Sequence, residues 1–329
     1  MRNIFYKKIE DGYLDLFEID KMQSQWEKIR KELISAIKDG GAESIYPVNV
    51  KWILLASPET LVGIFANYYN KKREGLIQKS LEEALRALFC YSSDRAGHKG
   101  YQPKIADFIM KHADEIGVHT CFYCEMSYIN VYGVNKVKKN HFDLDHFLPK
   151  AECPIVGLSL YNFIPSCSVC NEKLKRNSIL GLSNKKRITK EDQAAILKLF
   201  PSNKDYSFET DVDICINGVE KKDITKTLRL QDNPDRYRIV FESNRNEIYQ
   251  EEVSKLRLEE RYNYHKIEAL RLYDLLNDYP DELRKKISEL FKGGKTPDEI
   301  KEDLFGITFA IDNHRCFEKL KRDISKKFF

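Results

Sequence analysis

Four of the eight cysteines in this chain form two Cys-x-x-Cys pairs, which constrain its fold more than any other feature. The first pair is Cys121 and Cys124, in CFYC, and the second is Cys167 and Cys170, in CSVC. In a reducing compartment this spacing favours metal binding over disulfide formation. Four thiolates make a tetrahedral ligand set for Zn²⁺ and leave no open coordination position. The sequence therefore predicts a structural zinc site that clamps the segment between the two pairs.

The composition is that of a globular protein with enough residues for two or three structural units: 329 residues, 42% hydrophobic and 32% charged. The net charge of +4 says little, but residues 115–187 hold 10 Lys or Arg against 6 Asp or Glu. That local surplus suits a segment that meets phosphates. The longest apolar runs, such as WILLA at 52–56, are too short to cross a bilayer, and the N-terminus lacks a hydrophobic signal region. We therefore expect a cytoplasmic protein with no membrane association.

The pattern of apolar residues divides the chain into three regions. Residues 1–117 are predicted to be helical, with clear helical periodicity at 76–89 and 103–117. Residues 118–182 combine short β-like runs, the cysteine pairs and a basic helix. Residues 183–329 are predicted to be mixed, with a hairpin turn at Asn217-Gly218, a strand at 237–242, a long helix at about 250–278 and a capped helix from Pro297. The predicted fold class is α+β and predominantly helical, with the cysteine-bracketed module embedded between the other two regions.

The stretch HFDLDHFLPK, residues 141–150, lies between the cysteine pairs and carries the side chains best suited to catalysis or metal binding. Asp145 is a hard oxygen ligand that suits Mg²⁺ or Mn²⁺. His146, with an ordinary pKa of about 6.5, is partly neutral at physiological pH and can accept a proton from water. Adjacent side chains diverge on a strand. At a strand end that bends before Pro149, however, we expect both groups to approach one phosphate.

Polar and basic residues farther along extend this predicted site. Asn171 follows Cys170 at the start of a predicted helix, and its amide oxygen is another hard ligand. Asn162 is expected to hydrogen-bond the backbone near His146 and so to fix the imidazole. Four cations are predicted to contact neighbouring phosphates: Lys150, Lys173, Lys175 and Arg176.

The joint pattern of CxxC, Asp-His, Asn and CxxC-Asn over residues 121–176 resembles the HNH endonuclease family, the ββα-metal nucleases. More narrowly, it resembles the branch in which four cysteines clamp the module. The resemblance implies that His146 is the general base, and that Asp145 and Asn171 hold a catalytic Mg²⁺ or Mn²⁺. It also implies that Asn162 positions the base, and that the products carry 5′-phosphate and 3′-hydroxyl ends. The family name expects a final histidine, but none lies between His146 and His265, and asparagine stands at position 171.

The expected function is therefore metal-dependent hydrolysis of phosphodiester bonds in nucleic acid, most favourably DNA. A module embedded between helical flanks looks like prokaryotic anti-phage defence nucleases, including the HNH partner of Septu-type systems, which works beside an ATPase. A stand-alone restriction or mobile-element endonuclease is the alternative within enzymes. From another class, the segment could be a non-catalytic, zinc-stabilised module that binds nucleic acid or protein. The combination of Asp145, His146, Asn162 and Asn171 argues against this last reading, because a binding module needs no general base.

Overall fold

The computed structural model describes residues 6–37, 41–93, 97–134, 137–182, 185–200, 212–217, 229–243, 247–290, 294–306 and 315–325. The chain forms two compact units. The first unit comprises residues 2–123 and 129–207, and the second comprises residue 1, residues 124–128 and residues 208–329. Most of the cysteine-bracketed segment therefore lies in the same unit as the N-terminal helices. As expected from the sequence, the architecture is mixed α and β and mainly helical.

The first unit is built largely from helices that precede the first cysteine pair. Their bounds are α1 Glu10–Leu14, α2 Ile19–Ile37, α3 Ala42–Ile45, α4 Val50–Leu54, α5 Pro58–Arg73, α6 Lys79–Leu88, α7 Gln102–Lys111 and α8 Ala113–Ile116. A ninth helix, α9 at Lys190–Leu199, comes after the second pair. Short 3₁₀ turns lie at Tyr6–Ile9, Pro154–Leu158 and Leu160–Asn162.

Local sequence signals account for these helix bounds. The Ser57 side chain caps α5, and Pro58 fits its first turn, where no N–H is needed. Leu81, Leu85 and Leu88 form the buried stripe of α6, which confirms the helix predicted at 76–89. Gly117 ends α8 with a left-handed φ of 74°, a conformation that glycine adopts at little cost. The helix predicted at 103–117 is present but divided in two at His112.

The strands of the first unit form two antiparallel pairs. β1 (Val131–Val134) pairs with β2 (Val137–Asn140), and β3 (Asp143–His146) pairs with β4 (Phe163–Ser166). The register of the second pair sets His146 opposite Phe163 and Asp145 opposite Ile164. A π-helix at Val169–Lys175 follows β4 directly. Two strands followed by a helix is the order that the resemblance implies for this segment.

The second unit packs helices against one strand pair. Its elements are β5 Val212–Asn217, β6 Arg238–Ser243, α10 Glu247–Lys255, α11 Leu258–Tyr264, α12 Lys266–Asp278, α13 Asp281–Leu290, α14 Pro297–Phe305 and α15 Glu318–Ser325, with 3₁₀ turns at Leu230–Asp232 and Pro234–Arg236. Its core brings together apolar residues of both strands and several helices, among them Ile216, Ile239, Tyr262, Leu272 and Ile324. The helix predicted from Pro297 is confirmed, with a capping box between Thr296 and Glu299.

Two predictions for this region need correction or lie beyond the description. The prediction of a single long helix at about 250–278 is wrong, because three helices occupy this range. The first break lies at Arg257, whose φ of 51° is incompatible with a continuing right-handed helix, and the second lies at His265. The strand predicted at 237–242 is β6, and its partner is β5. Residue 218, the second residue of the predicted hairpin turn, lies outside the described residues.

Among the described residues, none of the helices is both long and apolar enough to pass through a bilayer.

Candidate functional site

The four cysteines of the two pairs come together in the structure. The Sγ atoms of Cys121, Cys124, Cys167 and Cys170 all lie within 4.8 Å of one another. Tetrahedral Zn²⁺ with bonds of about 2.3 Å to sulfur holds its ligand atoms about 3.8 Å apart, so the cluster needs little adjustment to bind one ion. Three of the four side chains are buried. The set is compatible with a structural metal such as zinc, as the spacing predicts.

Glu125, the residue after Cys124, has a left-handed backbone with a φ of 53°. Its carbonyl oxygen accepts a hydrogen bond of 3.0 Å from the backbone N–H of Phe317. Its carboxylate accepts one of 3.1 Å from the backbone N–H of Lys319, at the start of α15. These bonds stabilise an uncommon conformation for a residue with a Cβ. A sequence pattern does not reveal these hydrogen bonds, because Glu125 and Lys319 are 194 positions apart in the chain.

His146 is the last residue of β3, and its ring is held on several sides. Its Nε2 lies 2.9 Å from the carbonyl oxygen of Gly157. The ring of Phe163, opposite on β4, lies 5.0 Å away, and the ring of Tyr91 lies 4.5 Å away at an interplanar angle of 88°. Only 6% of the residue surface is exposed. The imidazole is therefore fixed in one orientation by a hydrogen bond and two aromatic contacts.

The bond to Gly157 also fixes the tautomer of His146. A carbonyl oxygen only accepts, so Nε2 carries the hydrogen, and in a neutral ring Nδ1 keeps its lone pair. Nδ1 makes no hydrogen bond within the described residues. Burial, with the positive charges of Lys150 and Lys175, holds the pKa of His146 well below its usual value. The ring is therefore neutral at physiological pH.

Asp145 is buried, and its carboxylate has different hydrogen-bond partners from the His146 ring. Its carboxylate accepts a hydrogen bond of 2.5 Å from the Tyr123 hydroxyl and pairs with the Lys175 ammonium at 2.9 Å. The same ammonium donates to the carbonyl oxygen of His146 at 2.8 Å. The Asp145 carboxylate bonds to Tyr123 and Lys175, whereas the His146 ring bonds to Gly157, in keeping with the alternation of side chains along a strand. We expected a bend before Pro149, and the chain bends at residues 147 and 148, after a strand that is regular through His146. The approach of both side chains to one phosphate remains a prediction.

Asn162 is fully buried and bonds to backbone close to His146, as expected from the sequence. Its Oδ1 accepts from the N–H of Leu148 at 2.8 Å, and its Nδ2 donates to the carbonyl oxygens of Leu148 and Val156, both at 3.0 Å. These three bonds join the segment after β3 to the 3₁₀ turn that contains Gly157. Asn162 therefore positions both the backbone that carries His146 and the carbonyl that orients its ring, without touching the ring itself.

Asn171 lies in the π-helix, and its side chain contacts a different carboxylate from the predicted one. Its Nδ2 donates a long hydrogen bond of 3.4 Å to Asp143, which leaves Oδ1 without a partner in the described part of the chain. Asp143 is half-buried and shares a strand face with Asp145, two residues away. Burial raises the pKa of Asp143, and the neighbouring charges of Glu172, Cys167 and Asp145 add to the effect.

Asp143, Asp145 and the free Oδ1 of Asn171 are oxygen donors of the kind that Mg²⁺ and Mn²⁺ take, with one difference from the prediction. The carboxylate next to Asn171 is Asp143, however, whereas Asp145 would have to share its carboxylate between a cation and Lys175.

The four predicted phosphate-binding cations are not equivalent. Lys173 and Arg176 are exposed, and Lys150 is half-buried with its ammonium 4.9 Å from the centre of the Tyr91 ring. Lys175 is fully buried in the ion pair with Asp145, so it does not contact phosphate in this arrangement. The cause is the π-helix, in which the N–H of Arg176 bonds to the carbonyl of Asn171, five residues back, and which turns Lys175 inward.

Two residues of the site carry no signal in the sequence. Tyr91 lies in the loop after α6, outside the cysteine-bracketed segment, and only the tertiary structure brings its ring to His146. Tyr123 lies inside the first cysteine pair, where an aromatic residue is expected to pack, but its hydroxyl also bonds to Asp145. Neither a motif nor a spacing would have identified them.

Comparisons with known proteins add no relative: no protein-family model, no curated protein and no solved structure matches this chain.

Proposed function

We propose that this chain is a metal-dependent endonuclease of the HNH type, which hydrolyses phosphodiester bonds in nucleic acid, with DNA as the favoured substrate. The observation that carries the proposal is the state of His146. Its Nε2–H is fixed on the Gly157 carbonyl, its Nδ1 is unpaired in the described part of the chain, and its pKa is lowered. A neutral imidazole held in one tautomer, with one nitrogen that makes no hydrogen bond in the described part of the chain, is the form a general base needs.

In the proposed reaction, Nδ1 of His146 takes a proton from a water molecule, which attacks the phosphorus in line with the leaving 3′-oxygen. Gly157 keeps the ring in the required tautomer, and Asn162 holds both backbone segments in place. Lys150, Lys173 and Arg176 are the cations able to meet substrate phosphates.

A divalent cation belongs to this proposal as well. Asn171, Asp145 and Asp143 supply the oxygen donors that would hold Mg²⁺ or Mn²⁺. When bound, such an ion would stabilise the extra negative charge on the phosphate and help the 3′-oxygen to leave. The four cysteines, by contrast, form a closed set, and the proposal gives their metal a structural role.

The test uses the full chain, supercoiled plasmid and Mg²⁺, with EDTA as the metal-free arm. We expect nicked and linear products with 5′-phosphate ends, and none with EDTA. His146→Gln is the informative variant, because glutamine can still donate an N–H to the Gly157 carbonyl but cannot accept a proton from water. We expect it to lower the cleavage rate by about 10²–10⁴-fold, the usual contribution of general base catalysis.

The matched control is His112→Gln. His112 is a histidine of the same unit that lies after α7 and bonds to Glu115, so its loss should leave cleavage unchanged. Full activity of His146→Gln would refute the assignment of the base. Binding of plasmid without cleavage, with Mg²⁺ or with Mn²⁺, would instead favour the non-catalytic zinc-stabilised module.

The proposed setting is prokaryotic anti-phage defence beside a partner ATPase, and it rests on the likeness in architecture alone. Co-expression with an ATPase encoded next to this chain tests it. Cleavage that requires the ATPase would support a defence complex, and cleavage by the chain alone would favour a stand-alone restriction or mobile-element endonuclease.

A further inference from the structure

The Tyr91 ring lies between two groups of the proposed site. Its centroid is 4.5 Å from that of the His146 ring, with the planes nearly perpendicular, and the Lys150 ammonium lies 4.9 Å from it. The ring of Phe163, which also contacts His146, is 5.5 Å away. An edge-to-face contact restricts ring rotation, and a cation held at an aromatic face is stabilised by the ring quadrupole. One side chain thus holds both the imidazole and a cation.

The loop that carries Tyr91 is itself well anchored. The carbonyl of Tyr91 accepts a hydrogen bond of 2.8 Å from the N–H of Gln102, at the start of α7, and the carbonyl of Cys90 accepts one of 3.0 Å from Tyr101. Gly100 packs directly against this backbone, because a Cβ there would overlap the Tyr91 carbonyl oxygen. The position of the ring is therefore set by α6, α7 and the turn between them.

Other residues of the N-terminal region also hold the backbone around the site. The hydroxyl of Tyr6 donates to the carbonyl of Phe163 at 2.5 Å, and that of Tyr13 donates to the carbonyl of Leu158 at 2.7 Å. Ser159 donates to the carbonyl of Ile53 at 2.7 Å. These bonds hold the backbone at Phe163 and next to Gly157, two of the groups that contact the imidazole.

We infer that Tyr91 is a positioning residue of the His146 site, and that its ring, supplied by the N-terminal helical region, holds the imidazole and the Lys150 ammonium in their working orientation. The segment 118–182 is then incomplete as a catalytic unit without the N-terminal helices. This inference rests on the proposed function for its kinetic consequences, but not for its structural ones.

Three substitutions in the full chain separate the ring from its hydroxyl and from general packing. Tyr91→Phe keeps the ring, and Tyr91→Leu removes it while retaining an apolar side chain. Tyr101→Leu is the control, since Tyr101 also combines a ring contact, to Phe17 at 4.8 Å, with a lysine, Lys104 at 5.7 Å, but makes no contact with His146.

The first readout is the tautomer of His146, from long-range ¹H–¹⁵N spectra of ¹⁵N-histidine-labelled protein at one pH, with the signal assigned by its loss in His146→Gln. We expect wild type, Tyr91→Phe and Tyr101→Leu to show a single state protonated at Nε2. Tyr91→Leu should show exchange broadening or a second tautomer. An unchanged His146 signal in Tyr91→Leu would overturn the inference, whatever the chain does to nucleic acid.

The second readout is plasmid cleavage with Mg²⁺. Misplacement of a catalytic group by about 1 Å can cost on the order of 10²-fold, so we expect Tyr91→Leu to lower kcat by about that factor, with a smaller change in KM. Tyr91→Phe should stay within about 3-fold of wild type, because the ring is retained. If Tyr91→Phe fell as far as Tyr91→Leu, the hydroxyl and not the ring would be the working part, and the inference would be wrong.

The two readouts separate the inference from the proposed function. Should no protein in the series cleave plasmid while the tautomer changes as expected in Tyr91→Leu, the nuclease proposal fails and the positioning role stands. Should wild type cleave and Tyr91→Leu match it in both readouts, the positioning role fails and the nuclease proposal stands.

Discussion

Two buried carboxyl groups, one in each unit, have different surroundings, although the second unit also holds a buried ion pair, Lys319 with Asp323 at 2.9 Å. In the first unit Asp145 and Lys175 are 4% and 0% exposed, and they pair with each other. In the second unit Glu252, on α10, is 4% exposed, and its Oε2 has no hydrogen-bond partner in the described part of the chain. Burial raises the pKa of Glu252 to about 8.

The difference shows where charge is used to fix geometry. Lys175 bonds to two residues of β3 about 30 positions away and so ties the π-helix to the strand that carries His146. Glu252 makes no such link, and it is most stable when protonated. We therefore expect the first pair to matter for the geometry of the site, and the lone carboxyl to matter for stability as the pH rises.

The largest effect should come from the four clustered cysteines, whose Sγ atoms lie within 4.8 Å of one another and suit one tetrahedral metal ion. Removing the metal with a strong chelator, or Cys170→Ser, should abolish stoichiometric zinc and unfold the segment around the cluster. Structural Zn²⁺ contributes folding free energy on the order of 10 kcal/mol. The measurement is zinc content by mass spectrometry of metals together with far-UV circular dichroism.

Cys316→Ser is the matched control, because Cys316 lies outside the cluster. It should retain one zinc per chain. Equal zinc content in Cys170→Ser and Cys316→Ser would mean that the cluster does not bind the metal.

The next largest effect should come from Lys175→Met. Removing one partner of a buried ion pair leaves an uncompensated charge on Asp145 and typically costs about 3–5 kcal/mol. The double variant Lys175→Met with Asp145→Asn removes both charges and should recover part of that loss. Urea unfolding followed by tryptophan fluorescence reports it, since both tryptophans of the chain, Trp26 and Trp52, lie in the first unit.

Lys173→Met is the matched control for this variant. Lys173 is exposed two residues earlier on the same helix, and its loss should change the free energy of unfolding by less than about 0.5 kcal/mol. A similarly small change for Lys175→Met would show that the buried pair is not the tie between helix and strand.

The sequence predicts the site where its signals are local. The cysteine spacing predicts the cluster, and the positions of His146 and Asn171 at the end of a strand and in a helix follow from the flanking apolar runs. The bonds of Asn162 to backbone near His146 were also expected.

The burial of the Lys175 side chain and the contact of the Tyr91 ring with His146 could not be predicted from the sequence. A lysine after a cysteine pair gives the same signal whether it faces solvent or the core, and only the π-helical hydrogen bond decides. No sequence motif links Tyr91 to His146. The contact between their rings depends on how α6 and α7 pack. The break of the predicted long helix at Arg257 was likewise not predictable, because no proline or glycine lies there.

The effect that most directly sharpens the comparison belongs to Glu252→Gln, and it is the smallest of the series near pH 5. The folded-state pKa of this carboxyl is raised, so the folded protein binds a proton that the unfolded chain has already lost. Between about pH 4.5 and about pH 8 the free energy of unfolding should therefore fall as the pH rises, by about 1.4 kcal/mol per pH unit at most. Glutamine does not titrate, so the variant should match wild type near pH 5 and exceed it in stability at pH 8.

The urea midpoint measured by circular dichroism at pH 5, 6, 7 and 8 gives this difference directly. Glu242→Gln provides the reference slope, because Glu242 is exposed on β6 and its charge is solvated in both states. Parallel slopes for wild type, Glu242→Gln and Glu252→Gln would mean that a partner neutralises Glu252 in solution. Glu252 would then be a paired buried carboxylate, as Asp145 is.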